Sequence, residues 1–138
     1  MAKTKYSVTF NGQTFTRSTE RTYSHMVIGL RSGAEYAGQY GDFGWSGRLD
    51  LAQKNFQYAK DHGCTDAAIL DTATGEVVVS YHVDPKTAQI AAARTYLVNR
   101  QDEFNKMARY YGPNSRQIVE FRESRDKAQA ALDALLAE

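Results

Sequence analysis

With 138 residues, 17 basic against 16 acidic side chains and a net charge of +1, the chain is one domain's worth of sequence whose overall field attracts neither nucleic acid nor anionic lipid. A chain of that length buries roughly two thirds of its unfolded surface, so folding requires neither disulfide nor metal; the lone Cys64 excludes an internal disulfide and fits a reducing compartment, the cytoplasm. The first thirty residues hold no apolar signal core and no apolar run approaches the ~18 residues that span a bilayer, so neither a leader nor a membrane segment is expected.

In "KYSVTFNGQTFTR", Tyr6, Val8 and Phe10 alternate up to Asn11-Gly12, a pair suited to positive φ, and Phe15 follows; the pattern predicts an N-terminal β-hairpin. "RTYSHMVIGLR" predicts a third strand, with Tyr23, His25 and Val27 on one face and Ser24, Met26 and Ile28 on the other, expected to pair with the hairpin. An aromatic, glycine-rich loop follows. "WSGRLDLAQKNFQYAKDHGC" then reads as a helix, with Ser46 as N-cap, an apolar stripe of Leu49, Ala52, Phe56 and Ala59, and Gly63 where a left-handed C-terminal residue belongs.

"DAAILDTATGEVVVSYHV" predicts a second hairpin: Ala68–Leu70 and Val77–Tyr81 flank a turn that Asp71 opens and Gly75 closes. Asp84-Pro85 supplies an N-cap and a proline at the first helical position, starting a helix expected to reach about Tyr111, where Gly112-Pro113 stops it. Asn114 or Ser115 caps a last helix running to the C-terminus. The resulting order, β-β-β-α-β-β-α-α, predicts an α+β fold. It comprises a mainly antiparallel sheet of about five strands (residues 1–83), one covering helix, and a C-terminal antiparallel helical hairpin (84–138) within a single domain.

Ile90, Ala93, Leu97, Arg100, Phe104, Met107 and Tyr111 follow strict three-four spacing, as do Ile118, Phe121, Arg125, Ala128, Leu132 and Leu135, which is the signature of a coiled-coil seam. A tight antiparallel connection sets Phe104 opposite Phe121, Leu97 opposite Ala128, Ala93 opposite Leu132, and Arg100 opposite Arg125. Two guanidiniums in one apolar layer repel. Either both heads snorkel to water or to Glu103 and Asp126, or a carboxylate or phosphate from a ligand or a second protomer completes the layer. The seam therefore leaves a homodimer through residues 85–137 open.

Signals for catalysis are sparse. His62 and Cys64 lie across a helix end with no second ligand pair, so no metal or cofactor is expected. His25 and His82 sit on predicted strands and, with Cys64, form the one constellation suited to a thiolate–imidazole pair; a lone cysteine after a helix is more commonly a small buried hydrophobe. "GQYGDFG" lacks the strand spacing and the lysine of a phosphate loop.

The aromatic stretch "GAEYAGQYGDFGWSGR" is the strongest functional signal. Tyr, Trp and Arg dominate interface hot spots, and interleaved Gly and Ser let a loop conform to its partner, so Arg31, Tyr36, Tyr40, Phe43, Trp45 and Arg48 are the expected partner-binding residues. The opposing expectation turns Trp45, and with it Phe43, inward as a lid over the sheet. A single-stranded nucleic-acid reading stacks bases on the rings and uses Arg17, Arg21, Arg31 and Arg48 for phosphates, against the near-neutral charge.

"FTRSTERTYSHMVIG" followed by "WSGRLDLAQK" resembles a group of small accessory proteins encoded in bacteriophage genomes, over roughly residues 5–60. The resemblance implies a phage accessory protein acting in a bacterial cytoplasm by occupying a host protein or ribonucleoprotein complex, including inhibition of restriction or CRISPR immunity. It carries no catalytic signature and transfers no binding residue, and the helical hairpin lies outside it. The expected function is therefore non-enzymatic binding of a host complex. Single-stranded nucleic-acid binding is the alternative, and a small-ligand-binding or hydrolytic protein using His25, His82 and Cys64 comes third.

Overall fold

The computed structural model describes residues 2–138. At its N-terminus β1 (Thr4–Phe10) and β2 (Gln13–Thr19) pair antiparallel through Asn11 (φ 48°) and Gly12 (φ 76°), the two positive φ values that a two-residue hairpin turn demands. The hairpin forms a two-stranded sheet of its own and does not extend the main one, contrary to the expected pairing with the third strand. The reason lies in that strand: β3 (His25–Arg31) already has both edges occupied, by β4 (Gly41–Ser46) and β5 (Cys64–Asp71).

The main sheet is antiparallel in the order β4-β3-β5-β6, with β6 at Val77–His82. Strand alternation sends Met26, Ile28, Ala68 and Leu70 to one face, where the hairpin lies across them with Val8 buried and Tyr6, Phe10 and Phe15 packed alongside. Val27, Ala67 and Ile69 point to the other face, which α1 (Leu49–Asp61) covers through Ala52, Phe56 and Ala59. The α1 stripe thus packs as its spacing predicts, except that Leu49 stays exposed. Arg48 occupies the N-cap position without a side-chain cap bond, while Ser46, the expected cap, ends β4 and is buried. Gly63 takes φ 91° just past the helix, as anticipated.

β4 is the element that composition concealed. Residues 41–46 were expected within a loop, yet they form an edge strand, locked where the Asp42 carboxylate accepts the Gly44 N–H at 2.8 Å and the Trp45 indole N–H at 2.7 Å. The β5–β6 turn is built as expected: Asp71 Oδ1 accepts the N–H groups of Ala73 (2.8 Å) and Thr74 (3.1 Å), and Gly75 has φ 75°.

The chain divides into two compact units, the first ending at Ala88 and the second starting at Gln89. α2 (Pro85–Ala108) starts where Asp84 Oδ1 accepts the Thr87 N–H at 2.8 Å. It stops three residues short of Tyr111. α3 (Arg116–Ala137) starts at Ser115, whose hydroxyl accepts the Ile118 N–H at 3.3 Å. In the second unit Leu97, Ala128 and Leu132 are buried together with Ile90 and Ala93 against them, so the seam closes within one chain. Among the described residues no helix is long and apolar enough to cross a membrane.

Candidate functional site

Two irregularities of the main sheet build one groove. Along β4, Trp45 pairs with Met26 and Gly44 with Val27, but Asp42 pairs with Ile28, so Phe43 is an extra residue. Along β5, Asp66 pairs with Leu30 but Cys64 with Arg31, leaving Thr65 extra. Each bulge reverses the alternation locally, and Phe43 and Cys64 both turn to the α1 face. They meet over Gly29: a Cβ at that position would stand 2.8 Å from Cys64 Sγ and 2.8 Å from Phe43 Cε2, so only a residue without a side chain lets the two converge.

Arg31, two residues on from Gly29 and on the same face, lies beside both. Its guanidinium carbon is 5.3 Å from the Phe43 ring centroid and 5.9 Å from that of Tyr36, which the 3₁₀ turn Ala34–Tyr36 presents. From α1, Tyr58 adds a ring that is 52% exposed, stacked on His62 at 3.8 Å and 6.3 Å from Phe43. Tyr40 stands at the hairpin end, its backbone clasped by the Gln13 amide (2.6 and 2.9 Å) and its ring set edge-on to Phe10 at 5.2 Å. The whole is an open groove of about 1100 Å³ at the β4 edge of the sheet, lined by Arg31 and the rings of Tyr36, Tyr40, Phe43 and Tyr58 together with Arg17, Glu35, Gln39 and Asp42.

Its electrostatics follow from partial burial. Arg31 is held protonated above the ordinary arginine range, chiefly by the Tyr36 hydroxyl, with desolvation opposing. Burial pushes the Cys64 thiol up, against the pull of Arg31, so it stays a thiol. Burial and then the charge of Asp66 also raise the Tyr40 hydroxyl. No carboxylate among the described residues reaches Arg31 as an ion pair, and its Nε is buried without a hydrogen-bond partner.

Of the six expected contact residues, Arg31, Tyr36, Tyr40 and Phe43 converge here. Trp45 does not: at 7% exposure it packs beneath the hairpin on the opposite face, 6.2 Å from both the Tyr6 and Tyr23 rings, because it lies beyond the bulge and pairs with Met26. Arg48 stands outside the groove, exposed and paired with Asp50 at 3.2 Å. Nor is the stretch a free loop, since β4 and the Gln13 clasp both hold it. Tyr58 was missed; it falls off the buried stripe of α1, and an aromatic on the solvent face of a helix was its only signal.

In the helical hairpin, the Arg100 guanidinium pairs with Glu103 at 2.9 Å and lies over Tyr96, while Arg125 pairs with Asp126 at 3.0 Å and lies 4.6 Å over Phe104. Both heads thus have partners within their own helices. The histidine–cysteine constellation does not assemble: His25 pairs across from Asp71, at the other end of β5 from Cys64 and roughly 20 Å away at the strand rise. His82 bonds Asp66 at 2.6 Å, and Asp66 shares the alternation of Ala68, on the face opposite Cys64. No group of three or more potential metal ligands occurs among the described residues. In comparisons with known proteins, the chain matches no family model, no curated protein and no solved structure.

Proposed function

We propose that this chain is a non-enzymatic accessory protein that binds the surface of a partner protein through the β4-edge groove. The role that its resemblance to phage proteins implies is occupation, in a bacterial cytoplasm, of a host complex such as a restriction or CRISPR effector. One observation carries the reading: an arginine without a carboxylate partner stands between two rings in an open groove whose further wall is an exposed tyrosine, the residue types on which interface energy concentrates. Reactive groups nearby are otherwise engaged, with both Asp42 oxygens holding β4 and the Cys64 thiol sealed and protonated. Two arginines against two acids, Glu35 and Asp42, make the groove electrically mixed, which suits a protein better than a polyanion.

Affinity capture from bacterial lysate tests this. The wild type and a Tyr96→Ala control on the helical hairpin retain the same protein, and an Arg31→Gln/Tyr58→Ala variant loses it; equal capture by all three refutes the assignment. Single-stranded nucleic acid, which Arg17 and Arg31 among four rings could also receive, is separated by salt. Two phosphate contacts weaken binding about sevenfold between 50 and 200 mM salt. Oligonucleotide binding with that dependence, abolished in the groove variant, replaces the protein reading.

A further inference from the structure

We infer that the groove seats a carboxylate of the partner protein, an acidic side chain or a chain terminus, on the Arg31 guanidinium between the rings of Tyr36 and Phe43. The inference rests on the protein-binding reading and names what that site recognises.

The argument starts from an uncompensated charge. A guanidinium is always protonated, and partly burying it without a counter-ion costs free energy. Here Nε is buried and lacks an acceptor, the Tyr36 hydroxyl is the chief polar neighbour of the guanidinium, and the side chain lines the open groove. Ring faces at 5.3 and 5.9 Å compensate in part. The carboxylates already lining the groove do not serve: Asp42 is committed to Gly44 and Trp45, and Glu35 on the 3₁₀ turn is exposed and makes no ion pair with Arg31.

Shape and charge both select a carboxylate over phosphate. A planar guanidinium held between rings presents parallel N–H groups that match a planar carboxylate. Arg17 and Arg31 offset Glu35 and Asp42 in formal charge, so the groove tolerates one added negative charge better than the two of a phosphate dianion. Phe43 and Tyr58, 6.3 Å apart, then offer apolar surface for the group that carries the carboxylate.

The test is an NMR titration of the ¹⁵N-labelled full chain. The probes are N-acetylphenylalanine, whose carboxylate is terminal, N-acetylglutamic acid α-amide, whose carboxylate is on the side chain, the neutral carboxamide of each, and inorganic phosphate. At least one acid shifts the Arg31 Nε–H resonance saturably and binds at least about tenfold more tightly than its carboxamide, as a charge-assisted pair requires. The better acid identifies terminus or side chain as the source. Carboxamides binding as well as the acids, phosphate binding more tightly than either, or no saturable shift overturns the inference. Arg31→Gln removes the shifts at Gly41–Gly44, but the wild-type comparison stands whether or not that variant folds. If the acids bind while lysate capture ignores Arg31, the seat survives and the proposed function falls. If capture needs the groove while carboxamides bind equally well, the function survives and the seat falls.

Discussion

Replacing Gly29 by alanine is the sharpest perturbation of the convergence that forms the groove. The φ of Gly29 lies outside the left-handed region, so an alanine backbone is unstrained there, and steric contact alone is tested. In an open strand the change would stabilise by roughly 0.5–1 kcal/mol, through the smaller entropy loss on folding. Here the added methyl stands 2.8 Å from Cys64 Sγ and 2.8 Å from Phe43 Cε2, contacts that force the thiol or the ring to move. Overpacking of this kind costs about 1–3 kcal/mol. The net expectation is a loss of roughly 0.5–2 kcal/mol. Urea unfolding followed by fluorescence of Trp45, the single tryptophan, reads it directly. Gly29→Ala/Cys64→Ala loses less than the sum of its single changes, because removing Sγ opens room for the methyl. The displaced ring lies against Arg31, so affinity for the better-binding of the two acids falls in the same variant. An unfolding midpoint unchanged or raised, with additive single changes, would show that β3, β4 and β5 do not close on this point, and the groove as described would not exist.

Asp42→Ala frees the Gly44 N–H and the indole N–H of Trp45; we expect a loss of roughly 1–2 kcal/mol and a shift in Trp45 emission, whereas an unchanged spectrum would show that β4 is not held by this carboxylate. Backbone N–H groups at Ala73 and Thr74 lower the pKa of Asp71, and the Thr87 backbone N–H lowers that of Asp84, so both contribute stability that is fully present above the ordinary carboxylate value of about 3.9 and lost as pH falls below it toward the depressed folded values. An Asp71→Asn/Asp84→Asn variant loses less stability across that acid window than the wild type, and parallel acid limbs for the two would refute the coupling. Arg125→Leu keeps an apolar group over Phe104 and gives up the cation–ring contact and the exposed pairing with Asp126, so thermal unfolding changes by less than about 1 kcal/mol. A loss of phosphate-induced stabilisation in that variant would instead restore the anion layer.

Features decided by local chemistry were legible in advance. Asn11-Gly12, Asp71 with Gly75, Asp84-Pro85, Ser115 and Gly63 each act on the backbone within a few residues, and each stands where it was expected. The part of the seam where Ile90, Ala93 and Leu97 meet Ala128 and Leu132 was legible because its period repeats along both helices. β4 was not: "GDFGWS" has two glycines and no aliphatic residue, and it becomes a strand because the free edge of β3 pairs with it and Asp42 locks it. Grouping Phe43, Trp45 and Arg48 as one contact surface overlooked that alternation and a bulge send Trp45 and Phe43 to opposite faces; Trp45 turns inward over the sheet, as the opposing expectation had it, and Phe43 turns to the α1 face. Bulges leave no mark in composition; they appear only when two strands are laid side by side and one is found a residue too long. Gly29 did leave a mark, a glycine inside an otherwise β-branched and apolar strand, which signals close approach by another group. The rings thus pointed to the rim of the groove, while the missing side chain at its floor was a local signal that a reading from composition passed over.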